Sequence, residues 1–101
     1  MYIYNVTTKV SSSIHTDWLH WMKKEHIPAV MQTGCFTSYK MVRILEIDEE
    51  DGPTYAVQYE LNTQTDYEQY ITAFAPILRN DTIQQWGDKI MAFRTIMQVV
   101  N

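Results

Sequence analysis

The chain is poor in most of the residues that announce a chemistry. It has one cysteine, Cys35, so no intrachain disulfide can form, and the reducing cytoplasm is the expected compartment. The neighbours of that cysteine, Gly34 and Phe36, supply no base to make its thiol a nucleophile. Only three glycines occur, Gly34, Gly52 and Gly87, too far apart for a glycine-rich phosphate loop. No stretch approaches the ~20 apolar residues of a membrane span, so no membrane association is expected. The start, Met1-Tyr2-Ile3-Tyr4-Asn5-Val6, lacks the basic and apolar regions of a signal peptide. The three histidines are spread along one segment. His15 and His26 would lie roughly 16 Å apart on a helix, with His20 on the opposite side. No pair has the i, i+3 or i+4 spacing that shares a metal, so neither a metal nor another cofactor is expected.

Positive charge is also scarce, with 8 Lys+Arg against 12 Asp+Glu and a net charge of −4. Five of the acids are Glu46, Asp48, Glu49, Glu50 and Asp51, which leaves 7 acids against 8 bases elsewhere. The acidity is local and reads as a solvated hairpin tip. The first strand resembles the opening motif of RNA-recognition domains, but the acidic hairpin and a pI near 5.2 would repel phosphate. No nucleic-acid partner is expected.

What remains is a globular composition, 46% hydrophobic and 13% aromatic over 101 residues, enough for one domain. A domain this small buries a modest share of its surface and gains from a partner subunit. Residues 2–10, rich in Tyr, Ile, Val and Thr, read as a strand. Ser11, Ser12 and Ser13 can cap a helix beginning near Ile14. At 100° per residue, Ile14, Trp18, Trp21, Met22, Glu25 and Ala29 share one face, and Thr16, His20, Lys23 and Lys24 take the other. Pro28 should kink or restart this helix, and Thr33-Gly34 should end it. A second strand is expected over 35–47, a turn at 48–53 built on Asp51-Gly52, and a third strand over 54–62 with Tyr55, Val57, Tyr59 and Leu61 on one face. Thr65-Asp66-Tyr67-Glu68 matches a capping box. The helix after it should bury Tyr67, Ile71, Phe74 and Leu78, with Pro76 interrupting it. Asp81 and Gln84 can cap its last turns, Gly87 can close them, and a last strand follows over 89–100.

The order β-α-β-β-α-β with right-handed crossovers predicts an α+β, ferredoxin-like antiparallel sheet with both helices on one face. Both faces of the outer strands are apolar. In strand four Met91, Phe93, Met97 and Val99 alternate with Ile90, Ala92, Ile96 and Val100. Two helices cover one face only, so a homodimer packed sheet against sheet is expected.

The run Trp18 to Pro28, Thr33-Gly34 and the apolar strand after it resemble the dimeric α/β-barrel superfamily, which includes small cofactor-free monooxygenases. More closely, Tyr4-Asn5-Val6-Thr7, Trp21-Met22-Lys23, Glu25-His26-Ile27-Pro28, Thr54-Tyr55-Ala56-Val57-Gln58-Tyr59 and Ala92-Phe93-Arg94-Thr95 resemble a bacterial family of ~100-residue, single-domain proteins of unassigned function. The resemblance runs nearly end to end. It implies a homodimer whose two sheets form a barrel, and it implies no activity.

The candidate site is the tryptophan-rich helix. A carboxylate at Glu25, buried beside Trp18, Trp21 and Met22, would have a raised pKa and could accept a proton, and His26 adjoins it. Alternatively Glu25 swings to water, caps a backbone group, or pairs with Arg43 or Arg94, both of which lie within apolar strands. A cleft between this helix and the sheet, lined by Trp18, Trp21, Met22, Tyr39, Arg43 and Arg94, with Asn5 and Gln58 as further polar groups, would bind a small apolar or aromatic molecule. The alternatives are a cofactor-free monooxygenase- or isomerase-like enzyme with Glu25 or His26 as base, and a structural or regulatory dimer.

Overall fold

A computed structural model describes residues 1–101. The chain begins with β1 (Tyr2–Val10) and a short 3-10 turn at Ser12–Ile14. A helical unit of three parts follows: α1 (His15–Trp21), a π turn (Met22–His26) and α2 (Ile27–Gln32). The hairpin strands are β2 (Ser38–Arg43) and β3 (Thr54–Leu61). The second helical unit repeats the plan of the first, with α3 (Gln64–Gln69), a π turn (Tyr70–Phe74) and α4 (Ala75–Trp86). The 3-10 turn Gly87–Lys89 leads into β4 (Ile90–Gln98). The strands lie in the order β2-β3-β1-β4, every neighbouring pair antiparallel. This is the expected ferredoxin-like α+β fold. No helix is long and apolar enough to cross a membrane.

Register assigns the faces. Val6 pairs with Val57 and Arg94, and Tyr4 with Tyr59 and Ile96, so these residues share the face that packs on the helices. Its centre is aromatic. Tyr4 stacks on Phe36 with centroids 6.0 Å apart and meets Tyr70 at 5.5 Å, and Phe36 meets Tyr70 edge-on at 4.8 Å. Trp18, Val10, Val30, Tyr59 and Leu61 complete the deepest layer. On the opposite face the row Val42, Ala56, Thr7, Phe93 and the β4 residues Met91 and Met97 sit among polar groups such as Asn5 and Gln58. Met91 is 59% and Phe93 60% exposed there.

Several local expectations change. The second strand spans six residues rather than thirteen, because Cys35 and Phe36 are drawn into the core ahead of it and the chain leaves the sheet at Arg43. Residues 44–53 form a long loop, not a tight turn, and it folds onto the end of β1: Val10 N–H donates to Pro53 O and Ser12 N–H to Asp51 O, both at 2.9 Å. Gly52 serves that close approach, since a Cβ there would overlap the Val10 carbonyl oxygen. The cap of α3 is Thr63, whose hydroxyl accepts from Asp66 N–H at 3.1 Å, rather than Thr65. The serines after β1 make no capping bond, and α4 runs unbroken past Asp81 and Gln84 to Gly87, which takes φ +56°.

The largest departure is helical phase. In both helical units the residue before the proline donates its N–H five residues back, Ile27 to Met22 O and Ala75 to Tyr70 O. Proline has no N–H, and its ring clashes with the carbonyl four residues back; the wider turn makes room for it. Each π turn adds one residue to the helical count. The buried face of the first helix therefore runs Trp18, Met22, Ile27, Val30, and Glu25 is exposed. In the second, Tyr70 and Ala75 are buried while Tyr67, Ile71, Phe74 and Leu78 are only partly covered.

Candidate functional site

The two shifted helices and the sheet enclose a small cavity of about 40 Å³. Trp18, Met22 and Val30 wall it from the first helix, Leu78, Arg79 and Thr82 from α4, and Tyr4, Val6, Thr8 and Tyr59 from the sheet. Tyr70 of the second π turn and Ile90, Ala92 and Arg94 of β4 complete it. A water occupies about 10–15 Å³ on this measure, so the space takes a few waters or one functional group. A groove of about 420 Å³ runs between the first helix and α4, lined among others by Trp21, Glu25, Asp81 and Gln85. His26 and Leu78 line both spaces.

His26 is the hinge of this arrangement. Its ring stacks on Trp21 with centroids 4.9 Å apart, and Trp21 meets Trp86 edge-on at 5.8 Å. Burial, and then the positive charge of Arg94, bring its pKa down to about 4 against a small opposing effect of Asp81. The imidazole is neutral at pH 7. Arg79 donates from Nη2 to the Tyr4 hydroxyl at 3.0 Å, while its buried Nε–H has no partner, and neither has the buried indole N–H of Trp86. Burial beside other phenols pushes the Tyr59 and Tyr70 hydroxyls far above their ordinary pKa, so both stay protonated.

The expected site residues divide into three groups. Trp18, Met22, His26 and Arg94 meet at the inner cavity. Trp21, Glu25 and His26 line the groove, where Glu25 is exposed instead of buried among tryptophans, because the π turn rotates it outward. Neither Arg43 nor Arg94 pairs with it. Tyr39 and Arg43 lie outside both spaces. Tyr39 is 51% exposed on β2, near the Tyr59 ring at 6.5 Å. Arg43 forks onto Glu49 with contacts of 2.7 and 3.2 Å, sits over the Tyr55 ring and holds the Glu49 carboxyl below its ordinary pKa. Tyr55 in turn shares a 2.7 Å hydrogen bond with His15. Asn5 and Gln58 pair on the open face, away from the cleft. Arg79, Tyr4 and Tyr70 were not expected. The signal available for Arg79 was Pro76, which marks the second π turn as Pro28 marks the first. No three His, Cys, Asp or Glu side chains cluster closely enough to hold a metal ion.

The sequence profile of the family described as a domain of unknown function, DUF4286, matches residues 1–100. The chain belongs to the DUF4286 family. No curated protein matches it. Among solved structures it is similar to an ethyl tert-butyl ether d (ethd) family protein from Bacillus halodurans, at TM-score 0.69 and 12% identity over 99% of this chain and 100% of that one. It is similar to a candidate antibiotic biosynthesis monooxygenase from Deinococcus radiodurans, at TM-score 0.72 and 10% identity over 100% and 94%. It is also similar to a protein from an uncultured marine organism described as dimeric and ferredoxin-like, at TM-score 0.67 and 10% identity over 100% and 96%. At these identities the likeness establishes the fold that DUF4286 shares with them, and it assigns no activity.

Proposed function

We propose that this DUF4286 protein is a cytoplasmic homodimer that binds a small apolar or aromatic molecule where the helix–helix groove meets the inner cavity. The observation that carries this is the junction at His26. There a groove of about 420 Å³, within the usual range of ligand sites, adjoins an enclosed space walled by Trp18, Met22 and Tyr59. The inner cavity alone is too small for a whole ligand, so the groove supplies the volume for its body. The dimer rests on the open sheet face, where Met91 and Phe93 are more than half exposed, and on neighbours described as dimeric. A buried, unpaired Cys35 suits a reducing compartment.

Binding fits this geometry better than catalysis. Glu25 stands at the exposed rim, and an imidazole with a pKa of about 4 is a weak general base at neutral pH. Native mass spectrometry of the purified protein tests the reading. The expected result is a species of twice the chain mass that binds added 1-naphthol. A monomer refutes the sheet-to-sheet dimer. A dimer that leaves naphthol unbound makes the cleft a packed structural interior.

A further inference from the structure

Two cationic side chains line the inner cavity, Arg79 partly buried and Arg94 exposed. Arg79 and Arg94 both line it, neither has an ion-pair partner, and the chain's ion pairs, Lys9–Asp51 and Arg43–Glu49, lie elsewhere. Of the five N–H donors on Arg79, one reaches Tyr4, and the Nε–H is buried with no acceptor. A buried donor without a partner costs stability, more so when it belongs to a cation. The other ionisable groups in the cavity do not neutralise it, since the Tyr59 and Tyr70 phenols remain protonated and His26 is neutral. An anion seated in the cavity would give the Arg79 Nε–H an acceptor and its cation a counter-charge.

We infer that the cleft recognises an aryl carboxylate, its carboxylate in the inner cavity between Arg79 and Arg94 and its ring in the groove against Trp21 and His26. This deepens the small-molecule reading and rests on it. The size of the cavity suits a head group rather than a whole molecule. Guanidinium groups fit planar carboxylates through paired N–H donors. The groove rim sets the direction of binding, because Glu25 and Asp81 repel an anion there and favour the end-on pose with the charge inward.

The test compares 1-naphthoate with 1-naphthamide, a neutral compound of the same shape, by isothermal titration calorimetry, with the Arg79 Nε–H followed by NMR. Naphthoate should bind about tenfold or more tightly than the amide, as expected for hydrogen bonds to a charged group, and it should shift the Arg79 Nε–H resonance. Arg79→Gln and Arg94→Gln should each bring the acid-to-amide affinity ratio down to near one. Arg94 is exposed on the edge strand, so its variant carries the test if Arg79→Gln fails to fold. Equal affinities for acid and amide overturn the anion assignment and leave the cleft reading intact. Failure of both probes to bind overturns both. A preference that survives both variants places the anion elsewhere and overturns this site, and inorganic phosphate displacing naphthoate at equal affinity overturns the aryl part of the assignment.

Discussion

Lowering the pH from 6.5 to 4 should destabilise this protein by about 3 kcal/mol through one residue. His26 has an ordinary pKa of 6.5 once the chain is unfolded, and burial and Arg94 bring it to about 4 in the fold. Between those values the unfolded chain binds a proton that the folded chain refuses, so stability rises with pH across the window. The stability is complete above 6.5, is lost as pH falls towards 4, and stays level below that, where both states are protonated. At about 1.4 kcal/mol per pH unit the interval amounts to about 3 kcal/mol. That is a large share of the roughly 5–15 kcal/mol that holds a domain together. The assay is urea denaturation of the wild type and His26→Gln at pH 7.0, 5.5 and 4.5. Carboxylates, including Glu49 with its lowered pKa, titrate alike in both proteins and cancel in the difference. The wild type should lose about 2.4 kcal/mol more than the variant between pH 7.0 and 4.5. Parallel stability curves for the two proteins would refute the argument, since His26 would then be free to ionise in place.

Gly52→Ala should cost several kcal/mol, on the order of 3, because its Cβ meets the Val10 carbonyl and its φ of +144° strains an L residue; thermal unfolding reads this directly. Trp18→Ala, at a site 1% exposed, should cost about 3–5 kcal/mol in chemical denaturation. Thr63→Ala removes the hydroxyl that caps α3 and should cost about 1 kcal/mol, a loss measurable as a lower urea midpoint with unchanged slope. Phe93→Glu places a charge on the edge strand of the open sheet face and should make the proposed dimer a monomer by light scattering at micromolar concentration, without lowering helix content by circular dichroism.

The first, third and last strands were legible in the sequence; the bounds of the second and the helical faces were not. Tyr55, Val57, Tyr59 and Leu61 alternate without interruption and are all buried as that period requires. The sheet order then follows from chain order and handedness. At Met22–His26 and Tyr70–Phe74 the backbone takes more than the 3.6 residues per turn on which helical phase rests. A uniform 3.6-residue turn puts Glu25 inside and gives no sign of Arg79. Trp18 and Met22, which precede the first π turn, were placed correctly. Ile27 and Val30, which follow it, are apolar one step out of the expected phase, and that mismatch was visible beside Pro28. Arg43 lies outside the cleft for another reason: its partner Glu49 sits in a loop whose path over β1 depends on the close approach at Gly52.

Seen as a reading frame, each π turn is one inserted codon that the helix absorbs without breaking. The insertion leaves the fold's outline alone and advances every later side chain by about a quarter of a turn. A relative that lacks both insertions would align to this chain with a one-residue gap in each helix, and a column-by-column comparison that ignored those gaps would match its cleft residues to the wrong positions. Two codons, one in each helix, separate a cleft holding His26 and Arg79 from one that would hold a carboxylate and leave the guanidinium outside.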